Sequence, residues 1–117
     1  MPIVDVEVVG DAGVPAQTLA DALGRAFGSA PGHTWVRLRQ LDAGAYAEND
    51  ACVGDDERPV FVTVLHAHPP EGDALVTELR AVTLVVAQAL SRPPQRVHVQ
   101  YAPPGAGRQA FGGTLVQ

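Results

Sequence analysis

The sequence contains no lysine, and all eight of its basic residues are arginines. Any amine base or nucleophile would therefore have to come from the N-terminus of the chain. The single cysteine, Cys52, excludes an internal disulfide and favours a reducing compartment, so we expect a cytoplasmic protein. Aromatic residues make up only 5% of the chain, which leaves a core built from valine, leucine and alanine.

The chain also lacks a basic surplus and a long apolar run. Its net charge of -5 disfavours a nucleic-acid partner, since nucleic-acid binders show a basic patch or stripe. No apolar stretch reaches the roughly 18 residues of a membrane span, and no signal peptide opens the sequence. We expect neither a nucleic-acid nor a membrane partner. The apolar fraction of 46% is enough for one folded domain.

Four segments have the pattern of strands, at about 2–9, 34–41, 59–65 and 96–101. In the first, Val4, Val6 and Val8 face one way, whereas Asp5 and Glu7 face the other. Two further segments repeat apolar residues at helical spacing. They are Leu19, Leu23, Ala26 and Phe27, ending at Gly28, and Leu75, Leu79, Val82, Val86 and Leu90.

The order of these elements predicts two tandem βαβ units within a single domain, 1–117. The units span about 2–45 and 59–105, and a glycine-rich tail, 106–117, is expected to form a turn or short hairpin. The predicted fold is α/β (α+β), a four-stranded sheet with two helices on one face. The other sheet face has a mixed composition that favours coverage by another subunit. It carries Asp5, Glu7, Trp35, Arg37, Arg39, His98 and Gln100.

Several short motifs in this order resemble the tautomerase superfamily, particularly its fused-repeat members of the macrophage migration inhibitory factor type. They are Met-Pro-Ile-Val at the start, Trp35-Val36-Arg37-Leu38, Pro93-Pro94-Gln95-Arg96-Val97-His98-Val99, and Phe111-Gly112-Gly113. The resemblance covers nearly the whole chain. It implies a homotrimer whose sheets line a central barrel, with sites at subunit boundaries and no metal or organic cofactor.

The resemblance also implies roles for individual residues. Pro2 matches the catalytic proline, which acts as the base once Met1 is removed, and Arg37 matches an arginine that binds the substrate carboxylate. His98 and Gln100 occupy positions where related chains have tyrosine and asparagine.

The sequence also departs from the superfamily pattern at two places. The turn at Gly10-Asp11 lacks an arginine found in bacterial members, and Ala30 replaces a lysine of the cytokine-like members.

The chemistry of proton transfer suits a free N-terminal proline. A general base works best when its pKa lies near the working pH. An apolar site and a neighbouring arginine would disfavour the cationic form of the Pro2 amine and lower its pKa. If Met1 remained, the Pro2 nitrogen would be an amide, and Pro2 would only begin an edge strand.

The other candidate residues keep structural alternatives. Arg37 and Arg39 share a sheet face and can instead pair with Asp5 and Glu7, a role favoured for Arg39.

The aromatic and histidine candidates have alternatives too. Tyr101 can line a pocket with Trp35, although core or interface packing is favoured. His98 can polarise a substrate oxygen or fill an interface, and Phe111 can back Pro2 or plug a subunit contact.

The resemblance, together with these observations, implies a cofactor-independent tautomerase, or isomerase, for a small 2-oxo or 2-hydroxy-dienoic acid carboxylate. One alternative is a hydratase or dehalogenase of the same fold, in which Glu48 activates water. Another is a non-catalytic oligomeric binding protein. No metal site is predicted, because the pair His66 and His68 lacks a third ligand at a recognisable spacing.

Overall fold

The computed structural model describes residues 2–117. Met1, and with it the prediction that Met1 is removed, lies outside the described residues. The elements are β1 (Ile3–Val9), α1 (Ala16–Phe27), β2 (Trp35–Leu41), β3 (Val60–Leu65), α2 (Gly72–Leu90), β4 (Val97–Tyr101), β5 (Ala110–Phe111) and β6 (Thr114–Leu115). Strands β5 and β6 form a short hairpin in the tail. The order of elements confirms the two predicted βαβ units.

The four long strands form one sheet in the order β2-β1-β3-β4. Within each unit the two strands are parallel, and β1 and β3 join the units by antiparallel pairing. Ile3 therefore lies between Trp35 and Leu65, so the start of β1 meets the start of β2 and the end of β3.

Both helices cover the same face of the sheet, as predicted. Val4, Val6 and Val8 of β1 are completely buried against Leu19 and Leu23 of α1 and their neighbours in the core. Each such side chain stabilises the fold by about 1.5–3 kcal/mol relative to an exposed position. Within residues 2–117, no helix combines the length and the hydrophobicity that crossing a membrane requires.

The helix ends follow local chain chemistry. α1 ends at Gly28, whose left-handed φ of 66° lets its N–H close the last turn. Just after α2, Arg92 reaches back across the sheet end. Its guanidinium donates to the carbonyl oxygens of Arg58 at 2.7 Å, Val9 at 3.0 Å and Asp11 at 3.1 Å. Arg92 thereby ties the end of β1 to the chain entering β3.

Candidate functional site

The open face of the sheet carries its side chains in three rows across the strands. The register defines these rows, each read from β2 to β4. The first contains Trp35, Ile3 and Leu65; the second contains Arg37, Asp5, Thr63 and Gln100; the third contains Arg39, Glu7, Phe61 and His98.

The first row lies beside Pro2. Pro2 is buried, and its carbonyl oxygen accepts a hydrogen bond from the Trp35 N–H at 3.1 Å. The Trp35 ring meets the Phe111 ring edge to face, with centroids 5.0 Å apart. Together with Ile3 and Arg37, these rings line a shallow groove of about 370 Å³. The fold thus gathers Pro2, Arg37 and Phe111, three of the predicted site residues, at one end of the sheet.

Arg37 is held by Asp5, its direct partner across the β1–β2 ladder. Arg37 Nε lies 2.6 Å from Asp5 Oδ1, and Arg37 Nη2 lies 2.8 Å from Asp5 Oδ2. These hydrogen bonds raise the pKa of Arg37, and the negative charge of Asp5 adds a smaller effect in the same direction. The Arg37 side chain is still 66% exposed. A ligand carboxylate can therefore reach the guanidinium, in competition with Asp5.

Two weaker candidates also lie on the open face. Arg39 stands opposite Glu7, but the expected ion pair between them does not form in the described chain, 2–117. The two side chains sit on an exposed ladder where hydration competes with pairing. Gln100 donates a hydrogen bond from Nε2 to Thr63 Oγ1 at 3.0 Å.

Glu48 belongs to a polar cluster at the opposite end of the sheet. Its Oε2 accepts hydrogen bonds from the Tyr46 hydroxyl at 2.6 Å and from Arg96 Nη2. These two hydrogen bonds lower the pKa of Glu48, and the bond from Tyr46 has the larger effect. Phe61 of β3 contacts this cluster, and its ring centroid lies 5.8 Å from that of Tyr46 and 5.6 Å from that of His98.

The fold separates this polar cluster from Pro2. His98 shares its row with Glu7, five residues along β1 from Pro2. At about 3.3 Å per residue, the two ends lie roughly 16 Å apart along the strand. One chain therefore does not bring His98 or Glu48 to a small substrate bound at its own Pro2.

Tyr101 faces the helices rather than the open face, and it packs against the core. Its hydroxyl donates to Glu78 Oε2 at 2.6 Å, and His66 Nε2 lies 2.9 Å from the same oxygen. Burial raises the pKa of Tyr101, and the hydrogen bond to Glu78 adds a smaller effect in the same direction. Sequence reasoning missed this cluster, although Glu78 interrupts the apolar stripe of α2 at core spacing.

Of the remaining grooves, one of about 370 Å³ is lined by Glu48 together with Tyr46 and Arg58, and the others contain none of the predicted site residues. Two of them, of about 530 and 550 Å³, lie along α1. In residues 2–117, no group of three histidine, cysteine or acidic side chains is arranged to hold a metal ion.

Comparisons with known proteins bear on the fold. No protein-family model matches the sequence, and no curated protein matches it. Solved structures do match. A macrophage migration inhibitory factor from Oncomelania hupensis is 22% identical with a TM-score of 0.72, covering 100% of this chain and 83% of its own.

Two further structures extend the comparison. A fused 4-OT, described as a symmetric trimer, is 15% identical with a TM-score of 0.75, covering 97% of this chain and 94% of its own. A malonate semialdehyde decarboxylase, described with decarboxylase and hydratase activities, is 18% identical with a TM-score of 0.64, covering 94% and 90%. All three structures are of tautomerase-superfamily proteins. The chain therefore has the tautomerase-superfamily fold.

Proposed function

We propose that the protein is a homotrimeric keto–enol tautomerase for a small 2-oxo or 2-hydroxy-dienoic acid, with Pro2 as its general base. The observation that carries this proposal is the position of Pro2, which is buried beside a groove lined by Trp35, Phe111 and Arg37. The groove offers aromatic surface and a guanidinium within a few side chains of the N-terminus. This combination suits a small, planar carboxylate.

The proposed base is the secondary amine that Pro2 presents after Met1 is removed. Its ring restricts the orientation of the nitrogen, and burial lowers the pKa of such an amine because it disfavours the cation. The neutral amine removes the hydroxyl proton of the enol, and the resulting ammonium delivers a proton to the carbon next to the new carbonyl group. This exchange moves one proton and requires no cofactor.

Arg37 is the proposed carboxylate anchor. Its planar fork of donors fits a carboxylate at two points, as its contact with Asp5 demonstrates. The rings of Trp35 and Phe111 then contact the apolar part of the substrate.

Two features support the proposed trimer, namely the open face of the sheet and the separation of the two sheet ends. Trp35 and Phe61 are 42% and 37% exposed on this face, and such large apolar side chains favour an interface. His98 can serve a substrate at Pro2 only if a neighbouring copy supplies it. The exposed, unpaired Cys52 agrees with a cytoplasmic location.

The test is ketonisation of phenylenolpyruvate by protein that mass spectrometry shows to begin at Pro2. Pro2→Ala is compared with Pro15→Ala, an exposed proline before α1 that lies outside the site. We expect turnover by the starting protein and by Pro15→Ala, and a loss of about a hundredfold or more in Pro2→Ala. Equal rates in all three proteins, or no turnover by any, would contradict the proposal.

The hydratase or dehalogenase alternative depends on Glu48 as a base for water. The hydrogen bonds from Tyr46 and Arg96 lower the pKa of Glu48, and a low pKa makes a carboxylate a weak base. The non-catalytic alternative would show no turnover in the same assay. The geometry therefore favours proton transfer by Pro2.

A further inference from the structure

A hydrogen-bonded cluster of His66, Glu78 and Tyr101 lies on the helix-facing side of the sheet, apart from the groove. His66 and Glu78 have side chains only 13% and 20% exposed. Glu78 Oε2 accepts the hydroxyl hydrogen bond of Tyr101 and lies against His66 Nε2, at 2.6 and 2.9 Å. Phe27 of α1 meets the His66 ring edge to face, with centroids 5.4 Å apart. The cluster is thus held by contacts from every layer of the fold.

The β1–β3 register brings this cluster to Pro2. Ile3 stands opposite Leu65, and continuing this register by one residue beyond the two strands places Pro2 opposite His66. Val9 N donates a hydrogen bond to the Pro59 carbonyl at 3.1 Å, so Val9 and Pro59 occupy a hydrogen-bonded position of the β1–β3 ladder. Hydrogen-bonded and non-hydrogen-bonded pairs alternate along an antiparallel ladder, and Pro2 and His66 therefore occupy a non-hydrogen-bonded position. Side chains that face each other across the ladder are closest at such positions.

The two residues also point to the same side. Residues two apart along a strand lie on the same face of the sheet, so Pro2 lies on the face of Val4 and His66 on the face of Val64. Both valines are completely buried under the helices. The Glu78 carboxylate, one hydrogen bond behind His66, is therefore the acidic group on the side of the sheet to which Pro2 points.

The charges around this cluster are few. Tyr101 keeps its proton, because burial and the nearby Glu78 raise its pKa, and Glu78 Oε2 is consequently the acceptor. The contact from α1 is the uncharged Phe27. From β1, Asp5 lies on the opposite face and is neutralised by Arg37.

We propose that Glu78 is a positioning residue for the Pro2 amine, and that its carboxylate, acting through His66, favours the protonated form of that amine. This inference rests on the proposed role of Pro2 as the base. Burial alone would push the amine towards its neutral form, whereas a carboxylate behind His66 opposes that effect. The amine can then both accept and return a proton near neutral pH.

The test replaces Glu78 with glutamine, which keeps the shape and the acceptor for Tyr101 but removes the charge. The amine is titrated directly by NMR on protein that begins at a nitrogen-15-labelled Pro2. We expect the midpoint to fall by about 0.5–1 pH unit in Glu78→Gln. Glu71→Gln, the same change at the exposed N-cap of α2, should leave the midpoint unchanged.

A second variant, Glu78→Asp, restores the charge and should move the midpoint back towards that of the unmodified protein. If Glu78→Gln fails to fold, Glu78→Met removes the charge with a well-packing side chain and should show the same fall. An unchanged midpoint in a folded, uncharged variant would overturn the proposal.

The titration requires no turnover, so it separates this inference from the proposed function. A fall in the midpoint without ketonisation by the unmodified protein would refute the tautomerase activity but retain the coupling. Ketonisation with an unshifted midpoint would retain the activity and refute the coupling. In active protein, the acidic limb of the pH–rate profile should move with the midpoint while KM stays constant.

Discussion

Arg37 and Asp5 form a two-point ion pair across the first two strands, with Nε–Oδ1 and Nη2–Oδ2 distances of 2.6 and 2.8 Å. The donors that face Asp5 are the same donors that a substrate carboxylate would use. An internal carboxylate and a ligand carboxylate therefore compete for one guanidinium. This competition makes the proposed anchor testable without removing it.

Asp5→Asn should lower the KM for carboxylate substrates several-fold, because a neutral amide competes less well for Arg37. Arg37→Gln should raise the KM by about tenfold or more. Steady-state kinetics of phenylenolpyruvate ketonisation measure both effects. Glu7→Gln is the control, since Glu7 lies on the same face of β1 without an ion pair to its partner Arg39. An unchanged KM in both Asp5→Asn and Arg37→Gln would remove Arg37 from substrate binding.

Phe61→Glu should dissociate the proposed trimer. Phe61 is 37% exposed on the open sheet face, where a subunit contact would bury it and where a carboxylate would be desolvated. Sedimentation should give a mass near three times the 12.2 kDa chain for the unmodified protein, and a smaller assembly for the variant. Leu84→Glu supplies the control, because Leu84 is 59% exposed on α2, in the opposite layer. A trimer that survives Phe61→Glu but not Leu84→Glu would place the interface on the helices.

Much of this fold is predictable because its buried positions repeat with a regular period. The alternation of Val4, Val6 and Val8 identified the buried face of β1, and all three are completely buried. The stripe ending in Val86 and Leu90 likewise identified the buried side of α2. A period of two or of 3.6 is a local property, so one sequence is sufficient to reveal it.

The pairings between distant residues were not predictable in the same way. Nothing local specifies that β1 pairs with β3, and this pairing is what separates His98 from Pro2 and brings His66 to it. Arg96 and Glu48 are likewise neighbours only through the fold. Glu78 did leave a local signal, an acid at a core position of α2, but its partners follow from the sheet order.

Tyr101→Phe should destabilise the protein by about 1 kcal/mol at neutral pH, because Glu78 loses a donor. The pKa of Tyr101 is raised in the folded state, so its contribution is fully present below the unfolded pKa of about 10. The contribution is lost as the pH rises beyond that value towards the folded pKa. Urea unfolding at fixed protein concentration should therefore show a gap between the two proteins that narrows above about pH 10. A gap that stays constant to higher pH would show that the hydroxyl is not bonded as described.

Arg92→Lys should lower the free energy of unfolding by about 1–3 kcal/mol. A lysine has one ammonium group and cannot reach the carbonyl oxygens of Arg58, Val9 and Asp11 together, so partly buried acceptors lose their donors. Urea unfolding measures the change. Arg80→Lys, the same substitution at an exposed position of α2, should be nearly neutral. Equal stabilities of the two variants would mean that the Arg92 contacts contribute nothing to folding.

The proposed activity depends on the Pro2 amine as its base, and an N-terminal extension changes that amine alone. Ketonisation of phenylenolpyruvate is compared between protein that begins at Pro2 and the same chain carrying one glycine before Pro2. The extension preserves every side chain but converts the secondary amine into an amide without useful basicity. We expect the extended protein to lose about a hundredfold or more in kcat/KM. Equal turnover by the two proteins, each verified by mass spectrometry, would contradict it.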